Sequence, residues 1–441
     1  MRPPVVAQHA IGCIQQVLYL PGPERGINLV ANHWEGWRMK NASQARPRFQ
    51  SRERLATRTM LVVVPLVFST LLAQGVTYKK LHEFHGTDGI QPVAGLVMDS
   101  KGNLYGTTFD GGTPPSASGT VFKVDRTGKE TVVHSFRSSK DDGSFPTADL
   151  IRDAEGNLYG TTDEGGAFSL YGTVFKLNAQ GKESVLYSFS GGTDGAFPEA
   201  GLIQDANGNL YGTTFDGGTT NCYIGAGLCG VVFKLDKNGK EAVLYSFTGP
   251  DGSRPAASLI MDAAGNLYGT TTRGGTVDDG IVFKLDPSGA ETVLYSFSGA
   301  DGAYPTAGLI MDAAGNLYGT TSGGGDRGDG IVFKLDPSGK ETILHSFTNG
   351  ADGAYPEASV IMDATGNLYG TTFGGGPAKH GVIFKLDPTG KETILYNFPT
   401  RAGGARSRAR LVMDSKGNLY GTTQNGGDPA CLCGVVFKLA P

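Results

Sequence analysis

The sequence predicts an all-β fold: a seven-bladed β-propeller of four-stranded antiparallel blades over residues 77–441, closed by an N-terminal strand, 77–84, that completes the last blade. Three observations predict it. The heptapeptide GNLYGTT occurs seven times, with its Asn at Asn103, Asn157, Asn209, Asn266, Asn316, Asn367 and Asn418, so the successive spacings are 54, 52, 57, 50, 51 and 51 residues. A period near fifty suits a blade of four strands. Each period also contains four short runs rich in β-branched and aromatic residues, without a competing helical period. Finally, 68 of the 441 residues are Gly and only 22 are Pro, with no G-X-Y repeat, which is a composition of many tight turns.

The fourth repeat serves as the type unit, with strands a to d expected at Ser258–Met261, Asn266–Thr271, Ile281–Leu285 and Glu291–Phe297. The a-b hairpin reads Asp262-Ala-Ala-Gly265-Asn266, and the c-d hairpin Asp286-Pro-Ser-Gly289. Asp opens and Gly closes a type I turn ending in a left-handed residue, and Pro fits its second position. These Asp and Gly residues are therefore read as turn-makers, because a calcium loop would need clustered carboxylates that they lack. The a-b-c set recurs seven times, ending with Val436–Leu439 and no following d strand, whereas Thr77–Phe84 is a d-type run that precedes the first a strand. Pairing these two segments would complete blade seven and remove both unpaired edges.

Residues 1–76 contain both Trp residues and none of the repeat motifs, so they are read as a leader. Within it an Arg-rich stretch from Arg46 to Arg58 precedes the apolar run Met60–Leu72 and then Ala73-Gln74-Gly75. That order is the order of a secretory signal peptide, and thirteen apolar residues are few for a membrane span. An uncleaved anchor is the alternative, and Met39 and Met60 are alternative starts that would exclude residues 1–38. Either way the propeller is expected outside the cytoplasm, secreted or periplasmic, with no membrane span in the mature protein.

The unit GLIMDAAGNLYGTT…GIVFKLDPSGKETVLYSF resembles the GloVer (Gloeo_Verruco) tandem repeat of exported bacterial proteins over residues 77–441. More remotely it is similar to NHL-type propeller repeats, which share its strand order and D-x-x-G-N hairpin. The family is defined by its repeat and not by an activity, so the resemblance implies fold and export only. Some members carry C-terminal anchoring segments, and the ending Leu439-Ala440-Pro441 departs from that pattern.

Function is expected where the repeats differ. The a-b and c-d turns share one monotonous rim, and the b-c and d-a loops share the other. On the second rim the b-c gap is 12, 11, 17, 10, 10, 10 and 12 residues in blades one to seven. Variable loops on a rigid scaffold are the usual carriers of binding. Candidate ligand-binding residues on this face are Asp110, Asp216 and Arg273 from b-c loops, Tyr223 from the long blade-three loop, Arg254, Tyr304 and Tyr355 from d-a loops, and His380. The d-a loops repeat Asp-Gly-x-x-Pro with an aromatic before Pro, as in Asp142–Pro146, Asp194–Pro198, Asp301–Pro305 and Asp352–Pro356. A ring of Asp and aromatics would grip a sugar or peptide, while interblade packing and turn chemistry explain the same residues without a ligand. Cys222 and Cys229 are spaced for a local disulfide, whereas Cys431 and Cys433 stand too close to bridge easily. A zinc site of these four thiols would need loops from distant blades, so no metal is expected.

A catalytic constellation should break the repeat symmetry near the axis. His82, His134 and His345 fall at the d-strand position held elsewhere by Tyr187, Tyr245, Tyr295 and Tyr396, leaving His85 and His380 as the loop histidines. The net charge of −4 over 441 residues excludes a basic nucleic-acid surface. The expectation is an exported, monomeric, noncatalytic binding module without cofactor, whose partner is an extracellular protein, peptide or glycan. An exported lyase or hydrolase using the same mouth, and a structural surface or matrix component, are the alternatives.

Overall fold

The structure, a computed structural model, describes residues 75–114, 117–219, 222 and 229–441. The expected leader, apart from its last two residues, and Tyr223 lie outside the described residues. Seven four-stranded antiparallel sheets follow one another along the chain. Blade four has strands a to d at Ile260–Met261, Leu267–Thr271, Ile281–Leu285 and Glu291–Ser296, within a residue or two of the expectation. The strand Thr77–Glu83 pairs antiparallel with Val435–Ala440, with Thr77 opposite Ala440 and Glu83 opposite Val435. The first β-segment of the fold is thus strand d of blade seven.

GNLYGTT recurs because each of its positions has a task in the blade. In blade four the Asp262 carboxylate accepts the Asn266 backbone N–H at 2.9 Å, its side-chain amide at 2.7 Å and the Tyr268 hydroxyl at 3.1 Å. These bonds outweigh partial burial and hold the Asp262 carboxyl below its usual range. Leu267 is buried. A Cβ at Gly269 would sit 2.7 Å from Cζ of Phe283, so no larger residue fits under that ring. The first Thr bonds the strand-a segment of the next blade: Thr270 donates to the Ala307 carbonyl at 3.2 Å, and Thr422 of blade seven donates to that of Ala94 at 3.0 Å. The second pairs across the sheet or caps the loop, as Thr271 does with the Arg273 carbonyl at 2.7 Å.

Between blades, the Phe ending strand d meets the Phe of the next strand c edge-to-face. Phe297 and Phe333 lie 5.2 Å apart between centroids, and Phe84 and Phe122 repeat the contact at 5.0 Å where blade seven meets blade one. Such pairs add about 0.5–1.5 kcal/mol beyond their buried area. The ring therefore closes with the same contacts it uses everywhere else. One interface differs: Tyr78 stands where the other blades place Glu at the start of strand d, stacks on Tyr396 with centroids 4.1 Å apart, and donates to the Gly403 carbonyl at 2.7 Å.

No helix among the described residues is long and apolar enough to cross a membrane. Cys222–Cys229 is a disulfide as expected, and Cys431–Cys433 is bonded as well, which corrects the reading that two residues of separation keep them apart. The Cα atoms of Cys431 and Cys433 lie 5.1 Å apart, within ordinary disulfide reach.

Candidate functional site

The loop face is organised by one backbone position per blade. Gln91, Phe145, Phe197, Arg254, Tyr304, Tyr355 and Arg406 are all left-handed, with φ between 55° and 59°. In six of the seven blades the next residue is Pro. Each donates its N–H to the b-c loop of the preceding blade, as Tyr304 does to the Asp279 carbonyl and Arg406 to that of His380. Each accepts one from the b-c loop of its own blade, as the Tyr304 carbonyl does from Ser322. The position rivets three segments together. A left-handed conformation costs a non-glycine residue about 1–2 kcal/mol, so seven side chains are kept where Gly would relieve strain.

Several of those side chains stack on residues of the b-c loops. Phe109 stacks on Phe145 at 5.2 Å. Arg254 lies over Phe215 at 5.3 Å, Arg273 over Tyr304 at 4.4 Å, and Arg406 and Arg408 over Phe373 at 5.3 and 4.7 Å. Tyr355 is 38% exposed. The predicted residues Arg254, Arg273, Tyr304 and Tyr355 are thus on this rim, two of them in one stacked pair.

Carboxylates line blades two and three. Burial pushes the Asp163 carboxyl up to about 6, with Glu164 adding to it. Burial pushes Glu199 up to about 7, reinforced by Asp163 and Asp216 and opposed by Arg254. Asp216 is raised by burial too, and one carboxylate oxygen each of Asp163 and Asp216 is buried with no partner among the described residues. Asp110 differs, because it is consumed locally by the Gly111 N–H at 2.7 Å.

The Asp residues of the d-a loops do not ring the mouth. They face the blade interfaces, where Asp301 accepts the Tyr295 hydroxyl at 2.7 Å and the Ser298 N–H at 2.7 Å. His82 and His134 bond Asp88 and Asp142 in the same way at 3.0 and 3.1 Å. His82, Asp88 and Glu130 stand close enough to hold a cation, but blades with Tyr in place of His build the same triad, which marks it as a repeat contact. His85 sits beside Asp88 at 3.6 Å, while His380 enters the described contacts through its carbonyl, so the two loop histidines do not form one site.

Sequence reasoning passed over the wall of the channel. In the segment that leads into strand a of blade seven (Val412–Met413), exposed Arg406, Arg408 and Arg410 alternate with buried Ser407, Ala409 and Leu411. No other blade has more than one Arg there. Arg408 pairs with Glu357 at 3.0 Å, and Arg410 with Asp149 of blade two at 3.3 Å. Asp149 also accepts the Gly95 N–H at 2.5 Å, and a Cβ on Gly95 would lie 2.8 Å from that carboxylate, so a side chain in blade one would push the carboxylate aside. The signal was present as RSRAR where other repeats read like YPTAG. On the opposite rim a groove of about 710 Å³ opens between blades seven and one, lined by Asp99, Arg126, Arg410, Asp414, Lys416 and Tyr420.

Comparison with known proteins agrees with the fold. The extracellular domain of a protein assigned as a one-component system of B. thetaiotaomicron superposes with a TM-score of 0.51 at 11% identity, over 82% of this chain and 40% of that one. The chain thus spans less than half the length of that structure. A protein assigned as a 6-phosphogluconolactonase of Bacteroides fragilis gives a TM-score of 0.46 at 16% identity, over 76% of this chain and 98% of that one. At 11% identity the likeness to the extracellular domain is one of fold alone. No curated protein matches the sequence. The Gloeobacter/Verrucomicrobia repeat model matches residues 65–225 and 308–441, together well over half of the chain. The chain therefore belongs to the Gloeobacter/Verrucomicrobia repeat family.

Proposed function

We propose that the protein is an exported binding module that holds an extracellular ligand at the mouth formed by the b-c and d-a loops. The observation that carries this is the ring of seven left-handed residues, most of them aromatic or Arg, kept against backbone strain and partly exposed. Strain of this kind persists where the side chain is needed. Export is supported by two disulfides, which persist in oxidising compartments, and by the signal-like order of residues 46–75.

The test is a glycan and peptide array probed with the secreted protein and with the double variant Tyr304→Gly/Tyr355→Gly. Gly suits the left-handed backbone, so the variant should keep its melting temperature while losing about tenfold or more in affinity, as expected for removal of two aromatic platforms. Unchanged affinity would place the ligand elsewhere, and silence of the native protein on every probe would refute the reading. Catalysis at the same mouth is the second reading, favoured by Asp163 and Glu199, two adjacent carboxyls held partly protonated near neutrality. It predicts turnover of an array hit that Glu199→Gln abolishes, and a hit recovered intact would exclude it.

A further inference from the structure

We propose that the arginine column of blade seven makes the mouth a receptor for an acidic saccharide, with Arg406 and Arg408 holding carboxylates of consecutive uronate residues. This rests on the mouth being the ligand site. Three kinds of chemistry converge there. Arg406 and Arg408 both lie over the Phe373 ring, 5.3 and 4.7 Å from its centroid, so the two guanidiniums stand side by side. Carboxylate partners touch Nε of Arg408 and Arg410, and 41% and 43% of the two side chains stay exposed. Arg406 has no ion pair among the described residues and lies against the Phe373 face. Guanidiniums oriented this way are matched to planar carboxylates.

Blade three, three places round the seven-membered ring, presents the opposite character. Asp216 gathers with Asp163 of blade two and with Glu199, which both of them influence, so three carboxyls stand together on this wall. Carboxylates accept from the vicinal hydroxyls of a sugar, which donate. Tyr355, 38% exposed, offers an aromatic face for a sugar ring. An acidic peptide would use the arginines and offer few donors to these carboxylates, and a neutral glycan would leave Arg406 without a counter-charge.

The repeats themselves supply variants that the fold accepts at these positions: blade one has Gln91 where blade seven has Arg406, and blades two and five have Thr147 and Thr306 where it has Arg408. Titration calorimetry of the full chain with oligogalacturonate, a neutral oligosaccharide and oligoglutamate, repeated for Arg406→Gln/Arg408→Thr, tests the assignment. Oligogalacturonate should bind best, with affinity falling as salt rises, and the double variant should weaken it by about a hundredfold, two charge-assisted contacts being lost. Equal affinity in the variant would overturn the role of the column. Preference for oligoglutamate or the neutral sugar, weakened by Tyr304→Gly/Tyr355→Gly, would overturn the ligand class and leave the mouth standing, whereas no binding of any probe would remove both.

Discussion

Replacing Thr77–Phe84 with a Gly-Ser tract of equal length is expected to abolish cooperative folding of the whole ring, not of one blade. The strand supplies six paired positions opposite Val435–Ala440. It also buries Phe84 fully against Phe122 and stacks Tyr78 on Tyr396. Loss of a fully buried Phe alone costs about 3–5 kcal/mol, a large share of the roughly 5–15 kcal/mol that holds a domain together. Without the strand, blade seven would present an open edge to solvent and to other chains. Phe84→Ala should therefore lower the melting temperature markedly yet leave a folded protein, while the replaced strand should yield aggregate. Soluble, monodisperse protein from the replacement, melting with the native midpoint, would disprove closure by this segment.

Stability should rise as the pH falls from 8 to about 5. Six glutamates, Glu130, Glu183, Glu241, Glu291, Glu341 and Glu392, open strand d of blades one to six, and burial pushes each carboxyl up to about 7 or 8. In every case a d-a loop Asp, from Asp88 beside Glu130 to Asp352 beside Glu392, adds to the shift, and beside Glu130 alone a histidine, His82, opposes burial. A carboxyl whose folded value lies above its unfolded one favours the native state below the unfolded value, near 4.5, and loses that contribution as the pH rises through the folded value. Each unit corresponds to about 1.36 kcal/mol, which partial exposure reduces severalfold, so the six together are worth on the order of a few kcal/mol. Two groups of residues limit the gain. His345 is half-buried and that burial lowers its value, so it resists protonation below about 6.5. The a-b turn aspartates, such as Asp262 and Asp363, are held low and surrender their contribution only below their unfolded range near 4. Thermal melts across this range should show the midpoint climbing on acidification, and Glu241→Gln with Glu291→Gln should raise it at pH 8 and flatten the curve. A midpoint that falls steadily from pH 8 to 5 would contradict the assignment.

Blade number, strand order, turn chemistry and ring closure were all legible in the chain, because each is encoded over a few adjacent residues and then repeated seven times. The Asp262-to-Asn266 turn and the Gly269 packing position are local, and the repeat copies them. The site was only partly legible. Arg254, Arg273, Tyr304 and Tyr355 could be placed on the variable face from loop register, but Phe215 beneath Arg254, and Phe373 beneath Arg406 and Arg408, sit in other loops and were not singled out. The loop Asp residues were read as possible mouth groups, whereas hydrogen bonds to Tyr or His of strand d turn them into the blade interface.

By itself the sequence determined a closed ring of seven sheets with one variable face, since periodicity and turn residues are properties of neighbours along the chain. Tertiary structure alone decided what faces the axis. Gly95, Asp149, Gly201, Ser258, Gly308, Ser359 and Arg410 meet there from seven different repeats, about fifty residues apart. Which of them meet is set by the radius and twist of the ring, and the pairing of Arg410 with Asp149 across Gly95 exists only once the blades have closed.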